Sequence, residues 1–255
     1  MPIHKSFDLT NKVAIVTGAS RGIGKSIAYL LGLHGAKLIL SSRKLAAVEE
    51  VAAAFRNEGI EATGIAAHMG DRQQIKELVR QTLDAYGGID IIVNNAAINP
   101  VFGPIMQTDA EVFDKILDVN LKGPMELSKL AYPIMKERGG GSIINISSIE
   151  ALTPAAGLGL YSISKASLIA ATKVTAREWG ADSIRVNAIC PGLVQTKFSE
   201  TLTGNEKILR MVLAKQALPQ IGIPEDIAGL ALFLASEASS FCTGGVYTAD
   251  GGYTI

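Results

Sequence analysis

The chain has 255 residues, with 24 basic and 24 acidic side chains, an apolar share of 48% and a charged share of 19%. That much apolar material excludes a disordered chain and suffices for a large core, and a formal net charge of zero leaves no basic excess for nucleic acid or anionic lipid. No run of about eighteen apolar residues predicts a membrane span, residues 1–7 lack the apolar core of a signal peptide, and the closing Gly-Tyr-Thr-Ile is not a peroxisomal signal, so a cytoplasmic protein is expected.

The short apolar run 13–16 reads as a buried parallel strand. Gly18, Gly22 and Gly24 follow at once, and 26–33 reads as a helix. A glycine-rich turn can be a plain tight turn. Between a strand and a helix, however, it suits the diphosphate of a dinucleotide: glycines let the backbone come close, and the helix start offers free N–H groups. Further strands are expected at 37–41, 61–66, 89–93, 142–146, 185–189 and 245–248. Helical patterns lie between most of them. Residues 45–58 are Ala-rich with glutamates, and 71–86 sets Ile75, Leu78, Val79 and Leu83 on one stripe. Thr108 and Glu111 form a capping box ahead of Val112, Ile116 and Val119, in a helical stretch 108–137. Pro224, with Glu225 and Asp226, opens a helix whose Ile227, Leu230, Ala231 and Leu234 face inward. Strand–helix alternation along the whole chain predicts an α/β fold, a doubly wound parallel sheet of about seven strands with helices on both faces. No linker or repeat divides it, so one domain spanning 1–255 is expected. Cys190 and Cys242 form no CxxC pair and read as reduced, buried thiols, and no metal site is expected.

Tyr161 and Lys165 stand four apart in a helical stretch, which puts both on one face, and Ser148 precedes Tyr161 by thirteen positions. A free tyrosine has a pKa of about 10, too high for acid–base work at neutral pH, and a nearby cation lowers it. A hydroxyl such as Ser148 can hydrogen-bond a substrate oxygen while Tyr161 gives or takes the proton. Those parts interconvert an alcohol and a carbonyl once a hydride carrier is present. The second strand bears on which carrier. An NAD site places an acid about 20 residues beyond the glycines. Here Ser42, Arg43 and Lys44 stand instead. Arg43 can pair with a 2′-phosphate, helped by Ser42 and Arg21, or it can be a solvated surface arginine. Charge complementarity favours NADP(H) over NAD(H).

Thr17-Gly-Ala-Ser-Arg-Gly-Ile-Gly24, Asn94-Asn-Ala-Ala97, Asn120, Ser148, Tyr161-x-x-x-Lys165 and Pro191-Gly192 together resemble the short-chain dehydrogenase/reductase family, in that family's order and over essentially the whole chain. The resemblance implies strand order 3-2-1-4-5-6 with a seventh strand added. It implies that Gly18, Ser20, Arg21, Gly22, Ile23 and Gly24 cradle the diphosphate. His68 and Met69 take the place where the family commonly has an aspartate at the adenine, though His68 reads equally as a surface histidine; His4 and His34 read as structural or exposed. Asn95 and Ala96 close the fourth strand, where Ala97 replaces the family's usual glycine. Asn120 would hold a water in a proton relay from Lys165, or bond its own helix backbone. Family spacing selects Ser148 over the structural Ser147. Pro191, Gly192, Val194 and Thr196 would border the nicotinamide carboxamide, and Lys165 its ribose.

Three segments, 98–102, 149–160 and 193–213, should line the substrate pocket, with Ile98, Phe102, Leu158, Leu193 and Phe198 as candidates. Leu152, Leu160, Leu202 and Met211 extend the list. Their apolar character suits a ketone, aldehyde or acyl chain better than a sugar. Glu150 is the one charged candidate, for a substrate contact or for solvent. The Ser-Ser-Arg-Lys and Ala-His-Met-Gly segments resemble the NADPH-dependent carbonyl-reductase branch. The alternatives are a 3-oxoacyl-[acyl-carrier-protein] reductase, which needs a basic entrance from residues such as Lys136, Arg138 and Arg177, and a regulator that binds NADP(H) without turnover. Family resemblance implies a homotetramer, or a dimer, built on helices near 108–137 and 161–179. Ala166, Ala170, Ala171 and Ala176 would permit close helix approach there, or would simply face the sheet.

Overall fold

The structure, a computed structural model, describes residues 6–255, with all side chains except those at 201, 202 and 208; His4 and the Leu202 side chain therefore lie outside the described residues. Seven parallel strands form one sheet in the order β3-β2-β1-β4-β5-β6-β7. They are β1 (Val13–Thr17), β2 (Lys37–Ser42), β3 (Ala62–Ala66), β4 (Ile91–Asn94), β5 (Gly141–Ile146), β6 (Ile184–Pro191) and β7 (Val246–Ala249). Helices α1 (Gly22–Leu33), α2 (Leu45–Asn57), α3 (Arg72–Tyr86), α4 (Ala110–Leu117), α5 (Gly123–Glu137), α6 (Gly159–Trp179), α7 (Glu200–Thr203), α8 (Glu206–Leu213) and α9 (Pro224–Ala235) complete the chain.

Period-two alternation builds two cores from one sheet. Ala14, Val16, Leu38, Leu40, Ile91 and Val93 point to the face covered by α1, α2 and α9. Ile15, Ile39, Ile92 and Ile143 point to the other, under α3 and α5. The stripe expected on α3 holds: Ile75, Leu78 and Val79 are buried and Leu83 packs partly. Asp71 caps that helix, accepting from the Gln73 and Gln74 amides at 2.9 and 3.2 Å.

Several boundaries differ from the expectation, each for a local reason. α1 begins at Gly22 rather than 26, so the second and third glycines are already its first turn. The Thr108/Glu111 capping box does not form. Thr108 closes a 3₁₀ turn, its amide bonded to the Ile105 carbonyl, and Asp109 becomes the helix-capping residue. The stretch 108–137 is not one helix but two, joined by a π-helical turn, Asp118–Lys122, in which the Gly123 amide reaches back to the Asp118 carbonyl. Gly123 presses against the Met69 carbonyl so closely that any Cβ there would overlap it. Such single-turn π insertions re-aim side chains at functional sites.

The connections from β1 run outward on one side through β2 and β3 and on the other through β4 and β5. Such a reversal opens a crevice at the carboxyl ends of the strands.

Candidate active site

A cavity of about 580 Å³ fills that crevice. Its first wall is the glycine turn. Gly18 and Gly22 have φ of +67° and +58°, which a side chain would strain. A Cβ on Gly24 would lie 2.6 Å from the Gly18 carbonyl oxygen, so Gly24 sits behind the wall and lets α1 close on the turn. Ser20, Arg21, Gly22 and Ile23 line the cavity itself. Asn95 ties the turn to β4: its Nδ2 donates to the Thr17 and Gly18 carbonyls at 2.9 and 3.3 Å. The Asn95 and Ala96 amides both donate to the Thr17 hydroxyl.

Beyond the turn, Ser42 and Arg43 line the same cavity, with Arg43 exposed and, among the described residues, in no ion pair. Ser41, missed from sequence, adds a buried hydroxyl with no hydrogen-bond partner among the described residues. An orphaned buried donor costs stability unless a ligand meets it. A ribose or phosphate oxygen fits this corner, and so does the hydroxyl-and-guanidinium donor set around it. His68 and Met69 line the next stretch. His68 Nδ1 accepts the Gly70 amide at 3.0 Å, which leaves Nε2 as the ring's N–H donor. A nicotinamide dinucleotide therefore fits the residues present.

The opposite wall comes from β5, α6 and the segment after β6. Ser148, Tyr161 and Lys165 line it together. One face of α6 carries Tyr161 and Lys165, both buried. Ser148 Oγ accepts the Glu150 amide at 3.1 Å and lies on the same wall as the phenol. The expected lowering of the Tyr161 pKa is not in place. Burial pushes Tyr161 well above its ordinary range, against a smaller downward pull from Ser148. Burial also depresses Lys165, from 10.5 to about 8. Lys165 Nζ donates to the Ile146 carbonyl at 2.7 Å and lies 5.7 Å from the Tyr161 ring centre.

That depressed pKa has a consequence for stability. Between pH 8 and 10.5 the unfolded lysine holds its proton while the folded one has lost it. The unfolded state then binds more protons, so stability rises with pH across that window. Below pH 8 the buried charge costs on the order of 3 kcal/mol. Lys165→Met is expected to lack this rise. Urea midpoints of cofactor-free wild type and variant at pH 7.5 and 9.5 check it; parallel changes in both proteins would refute it.

Asn120 lies behind the wall, not on it. Its Oδ1 accepts the Ile98 amide at 2.8 Å, and its Nδ2 donates to the Ile98 carbonyl and the Ser164 hydroxyl, both at 3.0 Å. Ser164 in turn donates to the Tyr161 carbonyl at 2.7 Å. The side-chain amide therefore fastens the Ile98 loop to α6 rather than bonding its own helix. Ser147, beside Ser148, donates to the Lys165 carbonyl at 2.9 Å and holds α6 from below.

Ile98, Phe102, Glu150, Leu158, Leu193 and Phe198 all reach the cavity, as do Pro191, Gly192, Val194 and Thr196. The Phe198 ring lies 6.0 Å from the Tyr161 ring. The tip of the Phe102 ring abuts Gly157, whose carbonyl accepts the Gly103 amide at 3.0 Å. Glu150 is neither free nor turned to solvent: its Oε2 accepts the Ala155 amide at 2.8 Å and the Ser162 hydroxyl at 3.1 Å, closing the loop before α6. Leu152, Leu160 and Met211 do not line the cavity, since Leu160 packs inside and the other two are exposed. On α8 it is Val212, one position around the helix, that faces in. Lys197 and Tyr253 also line the wall, and nothing local in the sequence pointed to them.

Comparison with known proteins agrees with this geometry. A family model described as enoyl-(acyl carrier protein) reductase matches residues 18–254. "Dehydrogenase/reductase SDR family member 4" of Oryctolagus cuniculus is 43% identical over 244 residues, 96% of this chain and 94% of that protein. Among solved structures, a 7α-hydroxysteroid dehydrogenase complexed with NADH and 7-oxo glycochenodeoxycholic acid superposes with a TM-score of 0.94 at 30% identity, covering 99% of this chain and 98% of the other. A gluconate 5-dehydrogenase from Burkholderia cenocepacia, in complex with NADP and tartrate, gives a TM-score of 0.94 at 28% identity and 98% coverage of each chain. With the sheet order, the glycine turn and the paired tyrosine and lysine already described, these matches make the chain a member of the short-chain dehydrogenase/reductase family of oxidoreductases.

Proposed function

We propose that the chain, acting as one dinucleotide-binding and catalytic domain over residues 1–255, transfers hydride between NADP(H) and a carbonyl/secondary alcohol pair. Reduction of an apolar ketone or aldehyde in the cytoplasm is its main direction. The observation that carries this is the placing of Ser148, Tyr161 and Lys165 on one wall of a cavity that continues to the glycine turn.

The bound nicotinamide supplies the hydride. Gly18, Gly22 and the start of α1 would hold the diphosphate, with Ser20, Arg21 and Ile23 around it. Ser41, Ser42 and Arg43 would hold the adenosine ribose and its 2′-phosphate, and His68 and Met69 the adenine. Pro191, Gly192, Val194 and Thr196 would border the carboxamide, and Lys165 the second ribose. Ser148 and Tyr161 hold the carbonyl oxygen and stabilise the charge growing on it. Burial keeps Tyr161 protonated at neutral pH, and the Lys165 cation is the group that would bring its pKa down for proton transfer. Asn120, whose side chain ties the Ile98 loop to α6, would hold a water in a proton relay from Lys165, and oxidation reverses the same proton path.

Solved relatives hold NADH in one case and NADP in another, so the fold does not select between them. Arg43, in no ion pair among the described residues, favours the phosphorylated cofactor. Arg43→Ala is expected to weaken NADPH binding about 10- to 100-fold, the value of one or two charged hydrogen bonds, and to leave NADH binding within about twofold. Fluorescence titration with both cofactors measures this; equal losses for the two would reject the assignment.

The acyl-carrier reading draws on the family model's description. It needs a basic entrance, but Lys136 is paired with Asp182 at 3.0 Å and Arg138 with Asp90 at 2.9 Å. Turnover of an α-dicarbonyl, an aromatic ketone, retinal and a 3-oxoacyl thioester, each with NADPH and NADH, separates the readings. We expect NADPH-dependent reduction of the ketones and not the thioester. Binding of NADPH with no turnover of any would point to a regulator.

On α6 the exposed outer stripe Ile163, Ala166, Ala170 and Val174 suits packing between copies in a homotetramer or dimer, while Ala176 faces the sheet. Sedimentation of the purified protein reads this directly.

A further inference from the structure

Residues 250–255 bring one side chain, Tyr253, to the cavity. Asp250 closes a tight turn on itself: its carboxylate accepts the Gly252 amide at 2.8 Å, the Thr254 amide at 2.9 Å and the Thr254 hydroxyl at 2.8 Å. This turn is fastened at two places. On one side the Gly192 amide donates to the Ala249 carbonyl at 2.9 Å, and Gly192 lies so close to Asp250 that a Cβ would come within 2.7 Å of its Cα. On the other, Gln216 Nε2 donates to the Asp250 carbonyl at 2.9 Å and the Leu218 amide to the Gly251 carbonyl at 2.8 Å. Residues 216–218 continue directly from α8, whose Val212 lines the cavity.

The turn thus bridges the end of β6 to the cover over the substrate end, and Tyr253 projects from it into the cavity. Its ring is half-buried, and Lys215 Nζ stands 5.7 Å from the ring centre. No described residue takes up its hydroxyl by a hydrogen bond. An apolar ring with an uncommitted hydroxyl beside a cation is a contact for a hydrogen-bond acceptor, a carboxylate best of all. Phe102, Leu158, Phe198 and Val212 give this end its apolar surface, and Lys197, next to Phe198, adds a second cation to the wall. Glu150, the cavity's acid, already spends a carboxylate oxygen on its own loop.

We infer that Tyr253 is a specificity-determining residue that contacts the substrate and selects carbonyl compounds carrying an acceptor group at the end remote from the carbonyl. This rests on the carbonyl-reductase reading above. The tyrosine takes no part in hydride or proton transfer, so it acts on KM and leaves kcat alone.

The test uses two series of methyl ketones of graded chain length, one ending in a carboxylate and the other in an isopropyl group of similar size. Wild type and Tyr253→Phe are compared with NADPH. At the chain length that wild type prefers, the variant is expected to raise KM for the carboxylate ketone about 3- to 10-fold. KM for the isopropyl ketone and kcat for both should stay within about twofold. An unchanged ratio between the two series overturns the inference, as does an equal loss in both. Calorimetric binding of the same ketones to the NADP⁺-loaded proteins gives the answer independently of turnover. If wild type binds them without reducing any, the carbonyl-reductase reading fails while the Tyr253 ratio is still read. If it binds neither series, both fail.

Discussion

Tyr161→Phe is expected to reduce turnover by about 10²- to 10⁴-fold, the ordinary contribution of a positioned general acid. Substitution removes a single oxygen. The ring keeps its place on α6 and its packing against Phe198. Ser148 keeps the Glu150 amide, and Lys165 keeps the Ile146 carbonyl. NADPH affinity and Tm should therefore remain close to wild type. Steady-state kinetics beside fluorescence titration of NADPH separate the two properties. Undiminished turnover would remove Tyr161 from the mechanism, whereas loss of cofactor binding together with activity would mean that the phenol chiefly shapes the cavity.

Asp90→Ala should do the reverse, lowering stability and sparing chemistry. Asp90 sits at the amino ends of the strands, opposite the cavity, and only 4% of it is exposed. Its carboxylate accepts from the Val13 amide at 2.8 Å and from Arg138 Nε and Nη2 at 3.0 and 2.9 Å. The Asp90 carbonyl also accepts the Ser142 amide, so the residue joins the beginnings of β1, β4 and β5. Truncation leaves a buried N–H and a guanidinium without their acceptor. Breaking a fully buried pair costs about 3–5 kcal/mol; Arg138, whose side chain is 34% exposed, recovers some water, so about 3 kcal/mol is expected. In a chain of this size that lowers Tm by roughly 6–12 °C. Below the transition, kcat should match wild type. A variant of normal Tm and poor kcat would mean that the two ends of the sheet are coupled in a way the contacts do not provide.

The features legible in the sequence were those set by neighbours in the chain. Alternation in Val13-Ala-Ile-Val16 sends adjacent side chains to opposite cores whatever packs there. Glycine spacing marks where backbone must come close, and a four-residue step brings Tyr161 and Lys165 to one helix face. Even local signals failed where a competing turn claimed the same group. Thr108 was lost as a cap because a 3₁₀ turn already used its backbone.

The sheet, the glycine turn and the types of group gathered at the strand ends follow from neighbours in the chain, because period, turn geometry and helix spacing act within a few residues. Tertiary structure decided how those groups are engaged. Asn120 binds a loop 22 positions away, Glu150 turns to Ser162, Ser41 has no partner among the described residues, and Tyr253 arrives at the wall from the far end of the chain. Whether burial or a nearby cation governs the Tyr161 pKa was also decided there. Desolvation depends on everything that surrounds a group, and no stretch of sequence contains its own surroundings.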